Sequence, residues 1–259
     1  MRERETVKLY LINLGACDAD KGAVLTPGSG DGERINIPIV GYLIETDDGQ
    51  RILVDSGMHP KHIDDPQATF GGTPFADSLT PIMGPEDDIT HRLGEVGLAV
   101  DDIDILVSTH FHFDHAGNHG AFGRSRIVAQ RAAHEFAMTH PEACPHDIWN
   151  PPHLRYELLD GDVELVPGVE LIASPGHVPG HMSVLVRLPR SGPMLLAIDA
   201  IYTRENLETN NWRSQRDPEG ARQSARRLAD IAAREQATLI CGHDPVQWAG
   251  LKMAPALYE

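Results

Sequence analysis

The chain has 259 residues, with 22 Lys and Arg against 38 Asp and Glu, a formal net charge of −16. Hydrophobic content of 41% with 23% charged residues belongs to a globular chain long enough to bury a core. So acidic a balance excludes a nucleic-acid backbone or an anionic bilayer as partner, since both call for clustered Lys and Arg.

Short runs rich in Val, Ile and Leu, separated by turn residues, read as strands. The first are Val7 to Leu14, Ile39 to Glu45 and Arg51 to Asp55, the last two joined as a hairpin through Asp47-Asp48-Gly49. Residues 56 to 85 are rich in Gly, Pro and Asp, lack periodicity, and read as a long loop of the kind that covers functional sites. The spacing of Ile89, Leu93 and Val96 predicts a helix over Glu86 to Val96, stopped by Gly97. Further strands are expected at Ile103 to Thr109, Arg126 to Gln130, Val163 to Val166, Val169 to Ala173, Ser183 to Leu188, Met194 to Asp199 and Thr238 to Cys241. Asp217 as N-cap, Pro218 at the first position and an apolar face of Ala221, Ala225, Leu228, Ile231 and Ala232 predict a helix over Pro218 to Glu235. Strands and helices mix without a composition break, so the expectation is one α/β domain over residues 1–259.

Cys17, Cys144 and Cys241 show no CxxC spacing, which argues against a disulfide framework or a cysteine-rich zinc site and for a reducing compartment. The charged start Arg2-Glu3-Arg4-Glu5 and the short apolar run Leu9 to Leu14 do not form a signal-peptide core. No stretch approaches the roughly 18 apolar residues that span a bilayer. The expected location is the cytoplasm.

Of the 14 histidines, those at strand ends matter most. In Thr109-His110-Phe111-His112-Phe113-Asp114-His115 the chain leaves a buried strand, and period-2 alternation puts His110 and His112 on one side. The turn at Ala116-Gly117 brings Asp114 and His115 alongside, giving four metal-competent side chains in six residues. Borderline ions such as zinc accept this mix of nitrogen and oxygen. His177, Asp199 and His243 each follow an apolar run beside a turn, and an unpaired Asp199 there would be costly without a cation.

The pattern HxHxDH, a later His, then Asp, then a last His resembles the metallo-β-lactamase superfamily along essentially the whole chain. That resemblance implies a four-layer αβ/βα sandwich with two divalent metals, zinc foremost, between its sheets. Mn, Co or Fe suit the same ligands. It gives His110, His112 and His177 to the first metal and Asp114, His115 and His243 to the second, with Asp199 bridging. Asp55 would orient ligands, while His119 and His181 fall outside the pattern and read either as supports behind the ligands or as structural residues.

Within the superfamily the local sequences are similar to the N-acyl-homoserine lactone lactonases that quench quorum sensing. The similarity lies in Leu53 to Met58, His110 to Phe122, Gly161-Asp162, Val166 to Val169, Ser174 to His181, Ile198 to Asn206 and Gly242 to Asp244. It implies ring opening by a metal-bridging hydroxide, with Tyr202 on the substrate carbonyl and Asp114 passing a proton to the leaving alkoxide. Phe70, Phe75 and Phe113 either line a groove for the acyl chain or anchor the early loop to the core. Departures from the lactonases concentrate in residues 18–35, 60–82 and 139–155. The partner expected is a small-molecule lactone, acting on a monomer or homodimer. The rival readings are a lactonase for a pyridoxine-derived lactone and a glyoxalase II-like thioesterase, whose usual C-terminal helical domain has no counterpart after His243.

Overall fold

Two β-sheets organise the chain in the computed structural model, which describes residues 7–259; the charged stretch 2–5 lies outside the described residues. In chain order the strands of the larger sheet are β1 (Lys8–Asp20), β2 (Arg34–Glu45), β3 (Arg51–Val54), β4 (Leu79–Ile82), β5 (Ile105–Ser108), β6 (Arg126–Gln130) and β7 (Tyr156–Leu159). They lie in the order β4-β1-β2-β3-β5-β6-β7. The smaller sheet holds β8 (Val163–Val166), β9 (Val169–Ala173), β10 (Met182–Val186), β11 (Met194–Ile198) and β12 (Thr238–Cys241), in the order β12-β11-β10-β9-β8. The helices are α1 (Lys21–Val24), α2 (Lys61–Asp64), α3 (Ile89–Glu95), α4 (Arg131–Thr139), α5 (His146–Trp149), α6 (Arg204–Thr209), α7 (Pro218–Glu235) and α8 (Pro245–Trp248).

Strand alternation sorts apolar residues onto two faces and so builds the layers. Leu9, Leu11, Ile52, Val54, Ile105 and Val107 of the larger sheet meet Val184, Val186, Leu196 and Ile198 of the smaller one in a shared inner core. The opposite face of the larger sheet, with Ile12, Leu53 and Leu106, is covered by Ile89, Leu93, Phe136 and Ile148 from α3, α4 and α5. The opposite face of the smaller sheet, with Leu185, Leu195 and Ala197, is covered by Ala221, Ala225, Leu228 and Ile231 of α7. This is the αβ/βα sandwich expected.

The long predicted helix α7 has the predicted bounds, and Asp217 caps it by accepting from Gly220 N at 3.1 Å. Elsewhere the structure differs from the reading of the sequence. β1 runs on past Leu14 to Asp20 because a register shift between Asn13 and Ala16 lets it pair with both β2 and β4. The stretch 56–85 holds α2 and β4; Pro81 within β4 hid it, and β4 is an edge strand, where proline is tolerated. The helix read as one piece over 86–96 is a 3₁₀ turn at Pro85–Asp87 followed by α3, because Asp88 turns extended and caps the second piece through Thr90 N.

Candidate metal centre

β3, β5 and β6 are parallel neighbours in one sheet, and β11 and β12 in the other. Their carboxyl ends, where ligands settle in such sheets, carry the predicted residues. Asp55 follows β3, His110 to His115 follow β5, His177 lies between β9 and β10, Asp199 follows β11 and His243 follows β12. The backbone is strained to achieve this. Asp55 (φ 59°) and Ile198 (φ 52°) adopt a left-handed conformation, which for a β-branched isoleucine is an outlier, and it turns the chain out of β11 just before Asp199. Gly176 (φ 135°) lies where a Cβ would come within 2.1 Å of Ala221 N, so glycine allows the His177 loop to sit on the start of α7.

The seven predicted ligands converge in two groups, His110, His112, His177 and Asp199 in one and Asp114, His115 and His243 in the other. Nε2 of His110, Nδ1 of His112 and Nε2 of His177 form a triangle with sides of 3.2, 3.2 and 2.9 Å. Tetrahedral ligands at a metal–nitrogen distance of 2.0 to 2.1 Å stand about 3.3 Å apart, so these lone pairs are spaced to share one ion. Asp199 faces both groups: Oδ2 is 3.2 Å from His177 Nε2, and Oδ1 is 3.3 Å from His115 Nε2 and 3.1 Å from His243 Nε2. Asp114 Oδ2 is 3.5 Å from His115 Nε2.

The chain's own acceptors fix the imidazole tautomers. Nδ1 of His115 donates to Asp55 Oδ2 at 2.8 Å, Nδ1 of His177 to Gln215 Oε1 at 2.9 Å and Nδ1 of His243 to the Pro38 carbonyl at 2.9 Å. Thr109 Oγ1 donates to Asp55 and so accepts from Nδ1 of His110 at 3.2 Å. In its neutral form each of these four rings thereby turns its Nε2 lone pair to the centre. His115 Nε2 and Asp199 Oδ1 are buried without a well-formed hydrogen bond, which is the state of donors built for a cation.

Burial pushes His110 and His177 well below the ordinary histidine pKa, so both stay neutral and able to coordinate. Burial also acts on His115, but the carboxylates of Asp199, Asp114 and Asp55 outweigh it and hold that ring well above its ordinary value. Asp199 is in turn held well below the carboxylate range by His115, His243 and His177 against the effect of burial. The pocket thus demands positive charge, and the donor set fits two divalent metals.

Around this centre, Tyr202 Oη lies 3.0 Å from Nδ1 of His177. Phe113, next to Asp114 in sequence, meets Phe70 edge-on at 4.7 Å and Phe70 lies 6.2 Å from Phe75, so the three phenylalanines form one apolar ridge. Phe113 is buried and Phe75 is 61% exposed, so the ridge runs from core to surface. His181 Nε2 accepts from Asp199 N at 3.1 Å, and its Nδ1 meets Ser174 Oγ; His119 Nδ1 meets Tyr156 Oη at 2.9 Å. The three cysteines are free and buried. Thr109 and Ser174 stand in the runs read above with no role assigned to them, and Gln215 and Pro38 have no place in any motif. Gln215 is 38 positions from His177 and has no local motif, so no signal in the chain could have found it.

The metallo-beta-lactamase superfamily matches residues 37–243 of the chain. An N-acyl homoserine lactonase of a Bacillus species is 41% identical over 251 residues, covering 96% of this chain and 97% of its own. A Bacillus thuringiensis AiiA variant with N-decanoyl-L-homoserine bound at its active site superposes with a TM-score of 0.91 at 38% identity, over 98% of this chain and 100% of that one. An N-acyl homoserine lactone hydrolase with the product N-hexanoyl-L-homoserine at its catalytic metal centre gives the same TM-score, identity and coverage. The chain belongs to the metallo-beta-lactamase superfamily and, within it, to the family of N-acyl homoserine lactonases.

Proposed function

We propose that this protein hydrolyses the lactone ring of N-acyl homoserine lactones to N-acyl-homoserines, a quorum-quenching activity carried out by residues 1–259 as one domain. The observation that carries the reading is Asp199, whose two oxygens face two separate donor groups with Tyr202 beside them. His110, His112 and His177 would hold one metal, Asp114, His115 and His243 the other, and Asp199 both. Zinc is the metal we assign first, because imidazole and carboxylate donors at tetrahedral spacing suit it; Mn, Co or Fe would suit the same residues. Held by these residues, two such ions would supply Lewis acidity towards a carbonyl and a water whose pKa falls from 15.7 to about 7.

The remaining work falls to side chains. Burial, then Asp199 and Asp114, push the Tyr202 hydroxyl well above its ordinary pKa, so it keeps its proton and donates to the oxygen that gains charge as the carbonyl is attacked. Asp114, 8% exposed and grouped with His115 and His243, is the side chain we assign to carry a proton to the departing ring oxygen, and no covalent adduct with the protein is required. Phe70, Phe75 and Phe113 would hold the acyl chain by burying its methylenes. Among the described residues no helix is long and apolar enough to cross a membrane. We place the enzyme in the cytoplasm on its three free thiols.

The test is turnover of N-hexanoyl and N-decanoyl homoserine lactone by the metal-loaded protein, beside a β-lactam, a thioester and a pyridoxine-derived lactone. Ring opening of the homoserine lactones well above the others is expected; no turnover of them by fully loaded protein overturns the proposal.

A further inference from the structure

Gln215 lies in the loop that precedes α7, 4% exposed, and bridges two parts of the centre. Its Nε2 donates to the Asp199 main-chain carbonyl at 3.3 Å. A carbonyl only accepts, so the amide nitrogen must face Asp199, and the amide oxygen must face Nδ1 of His177, 2.9 Å away. That oxygen can only accept in turn, so the ring proton of His177 sits on Nδ1 and the Nε2 lone pair is left for a metal.

A second consequence follows at Tyr202. Its hydroxyl oxygen is 3.0 Å from the same Nδ1. Were Nδ1 unprotonated, the tyrosine would donate to it and its proton would be consumed inside the protein. With Nδ1 already carrying a proton, the Tyr202 oxygen can only accept from that side, and its own proton is free to point elsewhere.

We propose that Gln215 is a positioning residue that fixes the His177 tautomer and, through it, frees the Tyr202 hydroxyl proton for the substrate. The metal-binding half of this stands on the geometry alone; the Tyr202 half rests on the lactonase reading.

The experiment compares wild type with Gln215→Leu, Gln215→Asn and Gln215→Glu, in Tyr202 and Tyr202→Phe backgrounds. Metal retained by the holoenzyme against EDTA is followed by elemental analysis, without substrate. Gln215→Leu, and Gln215→Asn whose shorter side chain withdraws the acceptor, are expected to lose metal about 10-fold to 100-fold faster, whereas Gln215→Glu keeps the acceptor and retains metal. With excess metal and N-hexanoyl homoserine lactone, Gln215→Leu is expected to lower kcat about tenfold or more with little change in KM, and by less than about threefold in the Tyr202→Phe background. Unchanged metal retention in folded Leu and Asn variants, or the same fold-loss of kcat in both backgrounds, overturns the proposal. A wild type that keeps its metal but leaves homoserine lactones intact overturns the lactonase reading instead, and the metal-retention comparison still decides the role of Gln215.

Discussion

Asp55 Oδ2 accepts from Nδ1 of His115 across 2.8 Å, although sixty positions separate the two residues. The same carboxylate accepts from Thr109 N at 2.9 Å and Thr109 Oγ1 at 2.7 Å, so three donors meet two oxygens at a site with no exposure. An Asp55→Asn variant offers a single oxygen and would set an NH₂ group against at least one of those donors. We expect its metal affinity to fall about 10-fold to 100-fold, read by competition with a chelator. The stripped protein should also melt earlier than stripped wild type, since the donors remain buried and one goes unpaired.

Tyr202 and Asp114 are separable by kinetics. Removing one donor aimed at the developing oxyanion costs on the order of 10²-fold in kcat, so Tyr202→Phe should lose that much with metal content unchanged. Asp114→Asn is expected to lower kcat by about 10²-fold to 10⁴-fold and to weaken metal binding at the group that includes His115 and His243. Full turnover per bound metal in Tyr202→Phe would remove the hydroxyl from the reaction.

The ridge of Phe70, Phe75 and Phe113 predicts a chain-length effect. Phe75, the exposed end, makes few core contacts, so Phe75→Ala should leave thermal stability nearly intact. Each methylene buried contributes about 0.8 kcal/mol, so the variant should raise KM for N-decanoyl homoserine lactone severalfold more than for the N-butanoyl compound. Equal changes for both chain lengths would return Phe75 to the role of a loop anchor.

His119 gives a prediction in pH. Burial pushes it down to about 3, and it is wholly inaccessible, while the unfolded chain titrates at its ordinary value of 6.5. Above that value both states are neutral and the group contributes no pH dependence. Between 6.5 and 3 the unfolded state binds a proton that the native state refuses, so stability falls as pH falls, by up to about 1.4 kcal/mol per pH unit from this group. Denaturant melts of wild type and His119→Gln at pH 7 and pH 5 should therefore show a smaller loss in the variant. An identical loss would mean that His119 titrates normally in the folded protein.

Much of this centre was legible before any coordinates. β5 ends at Ser108, so the strand alternation read for His110 and His112 does not itself run through them, yet both come to one donor group; the cost of leaving Asp199 uncompensated after so apolar a run marked it as cation-facing from the local sequence alone. The cap and stripe of α7 are equally local. What stayed hidden depends on partners far away in the chain. β4 is a strand because β1 pairs with it. Whether Asp199 faces one donor group or two was decided by the packing of two sheets against each other, which brings residues from the ends of β5, β11 and β12 to a common point. Gln215 and Pro38 carry no motif, since an amide and a main-chain carbonyl are ordinary groups until tertiary structure sets them against an imidazole. The sequence by itself determined which side chains could hold metals; the tertiary structure decided which nitrogen of His115, His177 and His243 faces the centre, because each of those tautomers is set by a neighbour across the fold.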